Sequence, residues 1–477
     1  MTNIKIKVRN PRTGKLDYTI APPTPEWVGR ECDRLRSGQR EWQAGGVEQR
    51  IAVLQQWRAE LERRREELVR VLATDTGRWQ MSEVEFNATI ACIDRWCELG
   101  PQLLSEPEAQ PTAISAIQRR SASAPYPLVG IIAPWNFPLY LSAIDAIPAL
   151  LAGCAAIVKP SEMTPRFIEP MREAIAAVPA LQEVLSYVVG AGDTGEAIIA
   201  SVDALCFTGS VTTGRKIAQS AAREFIPVFL ELGGKDPAIV TDSADLDAAT
   251  SALLWASMTN SGQSCLSIER IYVSEAVFEE FVAQLAQKAQ KVKLAYPELK
   301  GGPIGPIIDP RQATIIAEHL QDAESQGAKV ECGGHVEELG GGFWCRPTVL
   351  TQVNHGMKVM REETFGPIAP VMAFSRVEEA IALANDTEYG LSAAVFSGSE
   401  AEAIAIARQI HAGGISINDA GLTSIVQDGE KNSFNLSGMG GSRMGNTGLT
   451  RFLRKQALLI KTESVPDPWW FPLSDED

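Results

Sequence analysis

YPLVGIIAPWNFPLYL, from Tyr126 to Leu141, is the stretch on which the reading of this chain turns. Val129 to Ala133 is an unbroken apolar run of strand length, and Pro134 stops it. Pro138 suits the first turn of a helix, where a missing N–H costs nothing. Asn136 therefore falls at a strand-to-helix junction, which in an open α/β sheet aims side chains into the cleft beyond the strand's carboxyl end. A helix from Leu139 to Ala152 is expected to end at Gly153. The next apolar run, AAIVKP, delivers Lys159 at its end with Ser161 and Glu162 just beyond. LSYVV then leads to Gly190–Gly195 and a helix, ALCFTG leads to Ser210 and a helix from Thr212, and PVFLELGG leads to Glu231. Four such units predict a doubly wound parallel sheet.

After Lys235 the pattern repeats on a larger scale. DPAIV precedes a helix from Ala248 to Met258, the loop TNSGQSC and the strand RIYVS. Helices such as Val277 to Val292 then alternate with strands to about Ser416. GPIIDP and GGGFWCRP read as turns, REETFGPIAP as a polar turn entering a strand, and Ser437 to Gly448 as a glycine-rich loop. Upstream, residues 3–20 read as two short strands around Asn10–Gly14, and Thr24 to Leu104 is helical with a Glu/Arg-rich outer face. Residues 113–124 are weakly alternating and fit either an exposed strand reaching to a partner subunit or a loop; 451–462 could be a similar strand. The expected fold class is α/β, with two doubly wound parallel-sheet domains and a small β arm. The domains are 1–105 with 126–232, then 233–436; the arm and tail are 106–125 and 449–477.

Composition excludes several functions. The chain has 477 residues, 45% hydrophobic and 22% charged, as in an ordinary globular protein. A formal charge of −15 argues against nucleic acid and anionic membranes as partners. The amino-terminal stretch lacks the apolar core of a signal peptide, and the most apolar long segment, Ala143 to Val158, is too short to span a bilayer and is interrupted by Asp145 and Pro148. No membrane insertion is expected. Eight cysteines and four histidines are dispersed, with no disulfide framework and no metal-ligand cluster. Reduced thiols in a cytoplasmic protein are the economical reading.

Cys265 stands apart from the other cysteines because small and polar residues surround it. Its neighbours Ser261, Gly262, Gln263 and Ser264 let backbone N–H groups come close to a reacting oxygen. A thiolate attacks carbonyl carbon well and a thiol poorly, so a nucleophilic cysteine needs a stabilised anion or a nearby base. Glu231 leaves its strand into Gly233 and Gly234, a place that suits a base able to move between water and substrate.

Taken in order, PWNFP, KPSE, FTGS followed by Gly214, ELGGKDP, SGQSC and EETFGP resemble the aldehyde dehydrogenase superfamily along nearly the whole chain. The resemblance implies that Cys265 is the nucleophile, that Glu231 is the base, and that Asn136 donates its amide to the oxyanion beside the Cys265 backbone N–H. It implies a first, NAD-binding domain and a second, catalytic one. Lys159 and Glu162, with Ser161 between them, would hold the adenosine ribose. Trp135 and Ser210 would lie beside the pyrophosphate, Gly192 near the adenine, and Glu363 with Phe365 at the nicotinamide ribose, with Gly209 and Leu232 also touching the cofactor. Gly190–Gly195 matches GxGxxG, but Asp203 comes too early for the acidic partner expected roughly 20 positions on. A carboxylate at the ribose repels a 2′-phosphate, so NAD is expected as cofactor in preference to NADP, with NADP still possible. No metal is implied.

Two departures from the family pattern stand out. Asp145 occupies a position where many hydrolytic members carry a lysine, and NSFNLSGMGGSR replaces the common PFGG segment. Phe137, Leu141, Ile144, Ser264 and Leu266 are candidates for the wall of the substrate tunnel and suggest an apolar aldehyde; core packing is the alternative for each. The Trp469–Trp470–Phe471 cluster, with prolines at 466, 468 and 472, suggests packing on a partner subunit or over the substrate mouth. A homodimer or homotetramer is expected. The alternatives are a CoA-acylating semialdehyde dehydrogenase, which the carboxylate at Glu231 disfavours, and an idle binding protein on the same fold.

Overall fold

The computed structural model describes residues 5–463 and 469–471, so the prolines at 466, 468 and 472 lie outside the described residues. Strands Ile6–Arg9 and Leu16–Ile20 form an antiparallel ribbon, and four helices between Pro25 and Leu103 follow. The first large sheet has six strands, in the order Gly438–Met439, Val228–Glu231, Ala204–Thr208, Leu128–Ile132, Ala155–Lys159 and Leu185–Tyr187. Only the edge strand Gly438–Met439 runs antiparallel. Leu128–Ile132 and Ala155–Lys159 are buried throughout, the unbroken apolar pattern that a parallel sheet covered on both faces requires.

The second sheet has seven strands, and all but the antiparallel edge strand Lys329–Cys332 run parallel. Its central residues alternate between two cores. Ile239 and Tyr272 pack into one, while Ala238, Val240, Ile271 and Val273 pack into the other. This period of two shows that both faces are covered. A third sheet pairs Ile117–Pro125 with Leu453–Lys461 on one side and Gln110–Pro111 on the other, so the open reading of residues 113–124 resolves as a strand. Leu453–Lys461 is an edge strand that exposes Leu458, Leu459 and Ile460. Leu449 and Phe452, just before it, pack in the core of the first sheet.

Three local expectations change. The single helix read from Leu139 to Ala152 is two, Pro138–Ala143 and Ala146–Ala152. Pro148 removes an N–H and crowds the carbonyl of Ile144, so the first helix cannot run on through Asp145. GGGFWCRP is not all turn, because Gly342–Cys345 pairs with Val336–Leu339 as a hairpin. The glycine-rich loop read from Ser437 to Gly448 contributes the edge strand Gly438–Met439 against Leu230 and Glu231.

Candidate active site

Strand Leu128–Ile132 pairs with Ala155–Lys159 on one side and Ala204–Thr208 on the other. Chains leaving such strands diverge and open a crevice at their carboxyl ends. A groove of about 710 Å³ lies there and runs to Cys265. From the first sheet it is lined by Trp135, Asn136, Lys159, Ser161 and Glu162. Gly192, Gly209, Ser210 and Leu232 line its middle. Cys265, Glu363 and Phe365 line the far end from the side of the second sheet. Of the tunnel candidates Leu141 borders the groove, whereas Ile144 is buried in the first core. Phe137 lies under the Arg78 guanidinium, 5.8 Å from its ring centroid, and Ser264 and Leu266 are half-buried beside Cys265.

The groove suits a dinucleotide in several ways. Two helices, Gly192–Ile199 and Val211–Arg223, begin at it, and helix N-termini present free N–H groups and positive potential to phosphate. Ser210 caps the second helix by accepting the Thr213 N–H. The Lys159 ammonium donates to the Gly190 carbonyl at 2.8 Å and lies 3.6 Å from Glu162. Burial lowers its pKa, with Glu162 opposing. Trp135 and Phe365 meet edge to face across the groove, with centroids 5.6 Å apart.

The reacting end is held from beneath. Glu85 accepts the N–H groups of Leu139 (2.6 Å) and Tyr140 (3.0 Å), filling the free donors of the helix that follows Asn136. The Arg78 guanidinium donates to the Asn136 backbone carbonyl at 2.8 Å. The Asn136 side-chain amide donates to the Gln263 carbonyl at 3.0 Å, beside the Cys265 loop. That loop passes through Asn260, Ser261 and Gly262 with φ of 60°, 59° and 69°. Asn260 and Ser261 are thus in the left-handed region that costs roughly 1–2 kcal/mol per residue. Buried hydrogen bonds offset this: Ser261 exchanges two with Gly305, and Gln263 bonds the Ile308 N–H and the Pro306 carbonyl. The Ser261 and Gln263 side chains therefore anchor the loop and do not line the groove.

Among the described residues no cysteine is disulfide-bonded, and only Cys265 borders the groove. Its thiol is pushed up to about 12, first by burial and then by the charges of Glu363, Asp236 and Glu231, with Lys431 opposing. Burial and the three carboxylates all favour the thiol over the thiolate, and Lys431 is the one charge that opposes them. Glu363 is raised to about 8 by burial and by Glu269, against a bond from the Gly234 N–H. Glu231 does not line the groove, and its carboxylate accepts the Ser433 hydroxyl at 2.8 Å. Asp145 pairs with Arg443 and Arg451. Burial alone would raise it, but the two guanidinium groups outweigh that and hold it below the usual carboxylate range. Ser433 and Arg443 both lie in the segment that departs from the family pattern, and Asp145 is the other departure, so the structure brings the two together. Sequence reading missed Glu85, Arg78, Asn260 and Ser433, because each acts across contacts that are not local in the chain.

The fold and groove define a dinucleotide-dependent enzyme. Residues 2–458 match the aldehyde dehydrogenase family, and the chain belongs to that family. It is an aldehyde-oxidising oxidoreductase. It is 35% identical to a protein of Mycolicibacterium smegmatis named "Putative succinate-semialdehyde dehydrogenase (NADP(+))", over 96% of this chain and 89% of that one. It is 36% identical to a 4,4'-diapolycopene aldehyde oxidase of Methylomonas sp, over 98% of this chain and 88% of that one. Among solved structures, "Putative Aldehyde Dehydrogenase PutA" from Anabaena variabilis superposes with a TM-score of 0.97 at 60% identity, covering 98% of this chain and 100% of that one.

Proposed function

We propose that this enzyme oxidises an apolar aldehyde to the carboxylic acid, with Cys265 as nucleophile. The observation that carries the reading is the single groove in which Cys265, Asn136, Lys159, Glu162, Glu363 and Phe365 converge from both domains. Lys159, Ser161 and Glu162 would hold the adenosine ribose of NAD, the two helix N-termini its phosphates, and Glu363 and Phe365 the nicotinamide ribose. When bound, NAD supplies the hydride acceptor. Glu231 leaves Ser433 to take the Cys265 thiol proton and passes it to solvent as the sulfur adds to the carbonyl carbon, and the Asn136 amide with the Cys265 N–H stabilises the negative oxygen. Loss of hydride leaves a thioester on Cys265. Glu231 then takes a proton from water, which attacks the thioester and frees the acid and the thiol.

Several features support the finer points. Leu422, Ile425, Val426 and Phe434 are exposed on the segment that carries Ser433 to Glu231, which favours an apolar substrate and accords with the isoprenoid in the name of the Methylomonas relative. The Glu162 carboxylate favours NAD over NADP, against the NADP(+) in the name of the Mycolicibacterium relative. The exposed edge strand Leu453–Lys461 favours a homodimer or homotetramer. Among the described residues no helix is long and apolar enough to cross a membrane, and all cysteines are free, which favours the cytoplasm.

The test is reduction of NAD and of NADP with aliphatic, aromatic and isoprenoid aldehydes and succinate semialdehyde, with and without CoA. Acid formed without CoA from apolar aldehydes is expected. Acyl-CoA as the product would overturn the water mechanism, and a strict requirement for a second carboxylate would overturn the apolar substrate.

A further inference from the structure

Glu269 follows closely on Cys265, at the start of the strand Ile268–Ser274, and is fully buried with Lys235, Thr364 and His319. Its Oε1 accepts the Phe365 N–H and its Oε2 the Thr364 N–H, each at 2.8 Å. The Lys235 ammonium donates to the Glu269 Oε2 at 2.6 Å and to the Thr364 hydroxyl at 3.1 Å. The Thr364 hydroxyl also meets the His319 Nδ1 at 3.1 Å. One residue before Lys235, the Gly234 N–H donates to the Glu363 carboxylate at 3.1 Å.

Three backbone segments meet around this group. A Cβ on Gly262 would lie 2.0 Å from the Gly366 carbonyl oxygen, and one on Gly234 would lie 2.7 Å from the Cys265 carbonyl oxygen. The Cys265 loop, the glycine pair after Glu231 and the Glu363 turn therefore touch main chain to main chain. Phe365 sits at φ 54°, a left-handed conformation that persists only where its surroundings over-determine it. A buried ion pair is no better for stability than apolar packing of the same volume. What apolar groups cannot do is accept two adjacent N–H groups and fix a strained turn.

We propose that Glu269, braced by Lys235 and Thr364, is a positioning residue that fixes the Glu363–Phe365 turn against the Cys265 loop, so that the cofactor's nicotinamide end and the nucleophile are placed as one unit. This rests on the reading that Glu363 and Phe365 hold the cofactor. Thr364→Val keeps the shape and removes the hydroxyl bonds to Lys235 and His319. Thr364→Ser keeps those bonds, and Glu269→Gln leaves one backbone N–H without its acceptor.

The experiment measures NAD binding by calorimetry, the KM for NAD against kcat, and Cys265-dependent ester hydrolysis without cofactor. Glu269→Gln and Thr364→Val are expected to weaken NAD binding about tenfold. KM should rise more than kcat falls, ester hydrolysis should be retained, and Thr364→Ser should restore binding. Wild-type NAD affinity in Thr364→Val, or a parallel loss of binding and ester hydrolysis, would overturn the proposal; the isosteric change keeps this decisive even if Glu269→Gln does not fold. Glu363→Ala separates the two readings. Unchanged NAD affinity in that variant removes the assignment of the groove and the proposal with it. Weakened affinity there, with Thr364→Val unaffected, removes the positioning role alone.

Discussion

Two segments approach Cys265 and Glu231, and they differ in burial. The loop from Thr259 to Cys265 is buried through Gln263 and anchored by side-chain bonds to Gly305, Pro306, Ile308 and Asn136. The segment from Leu422 to Arg443 is largely open to solvent and exposes Ile425 at 63%. It is nevertheless tied down along its length, by Gln427 to Tyr140, Arg95 to Asp428, Ser433 to Glu231, Ser437 to Gly390, the strand Gly438–Met439 to Leu230 and Glu231, and Arg443 to Asp145. The first loop thus holds Cys265 through buried side-chain bonds, whereas the second turns Leu422, Ile425, Val426 and Phe434 outward. Buried placement is where chemistry gains, and exposed side chains are where specificity changes at little cost to the fold.

The largest expected effect breaks the first loop's chemistry. Cys265→Ala should lower turnover by about four orders of magnitude or more, measured as NADH formation. In the intact free enzyme, a thiol raised to about 12 should alkylate about tenfold faster per pH unit across the neutral and mildly alkaline range. A plateau near neutral pH would show a thiolate already formed.

Asp145→Asn should remove one anchor of the second segment. It leaves Arg443 and Arg451 without a buried counter-charge, a change worth roughly 3–5 kcal/mol, read as a lower urea midpoint. Asp145 is depressed in the folded protein, so its stabilisation is present above the ordinary carboxylate pKa and is lost as pH falls through the depressed value. The gap between parent and variant should therefore narrow in acid. Asn136→Ala should cost about a hundredfold in kcat, with a smaller change in KM. Ile425→Ser should have the smallest effect, raising KM for long apolar aldehydes by up to about tenfold and leaving kcat for short ones unchanged. Equal loss for long and short substrates would show that the rim does not select.

How much was legible varies along the chain. The run Val129 to Ala133 was readable as a strand because a doubly covered parallel strand is apolar throughout. The helix after it was misjudged because Pro148 and the buried charge of Asp145 break a pattern whose apolar period continues past them. Gly342–Cys345 read as a turn because its glycines dominated the local signal, although tertiary pairing with Val336–Leu339 makes it a strand. Asp145 was legible as a departure but not its partners, since Arg443 and Arg451 come from the far end of the chain.

What the sequence determined by itself was local: the order of strands and helices, the cysteine among small residues, and the carboxylate before two glycines. These depend on side-chain periodicity and turn chemistry, which act over a few residues. Tertiary structure alone decided that Glu231 faces Ser433, that Glu269 holds the Glu363 turn, and that Asp145 is neutralised by two arginines. Each is a buried polar contact between distant segments. Its partner is chosen by which donors and acceptors the folded core leaves unsatisfied, and that is settled only once the chain has closed on itself.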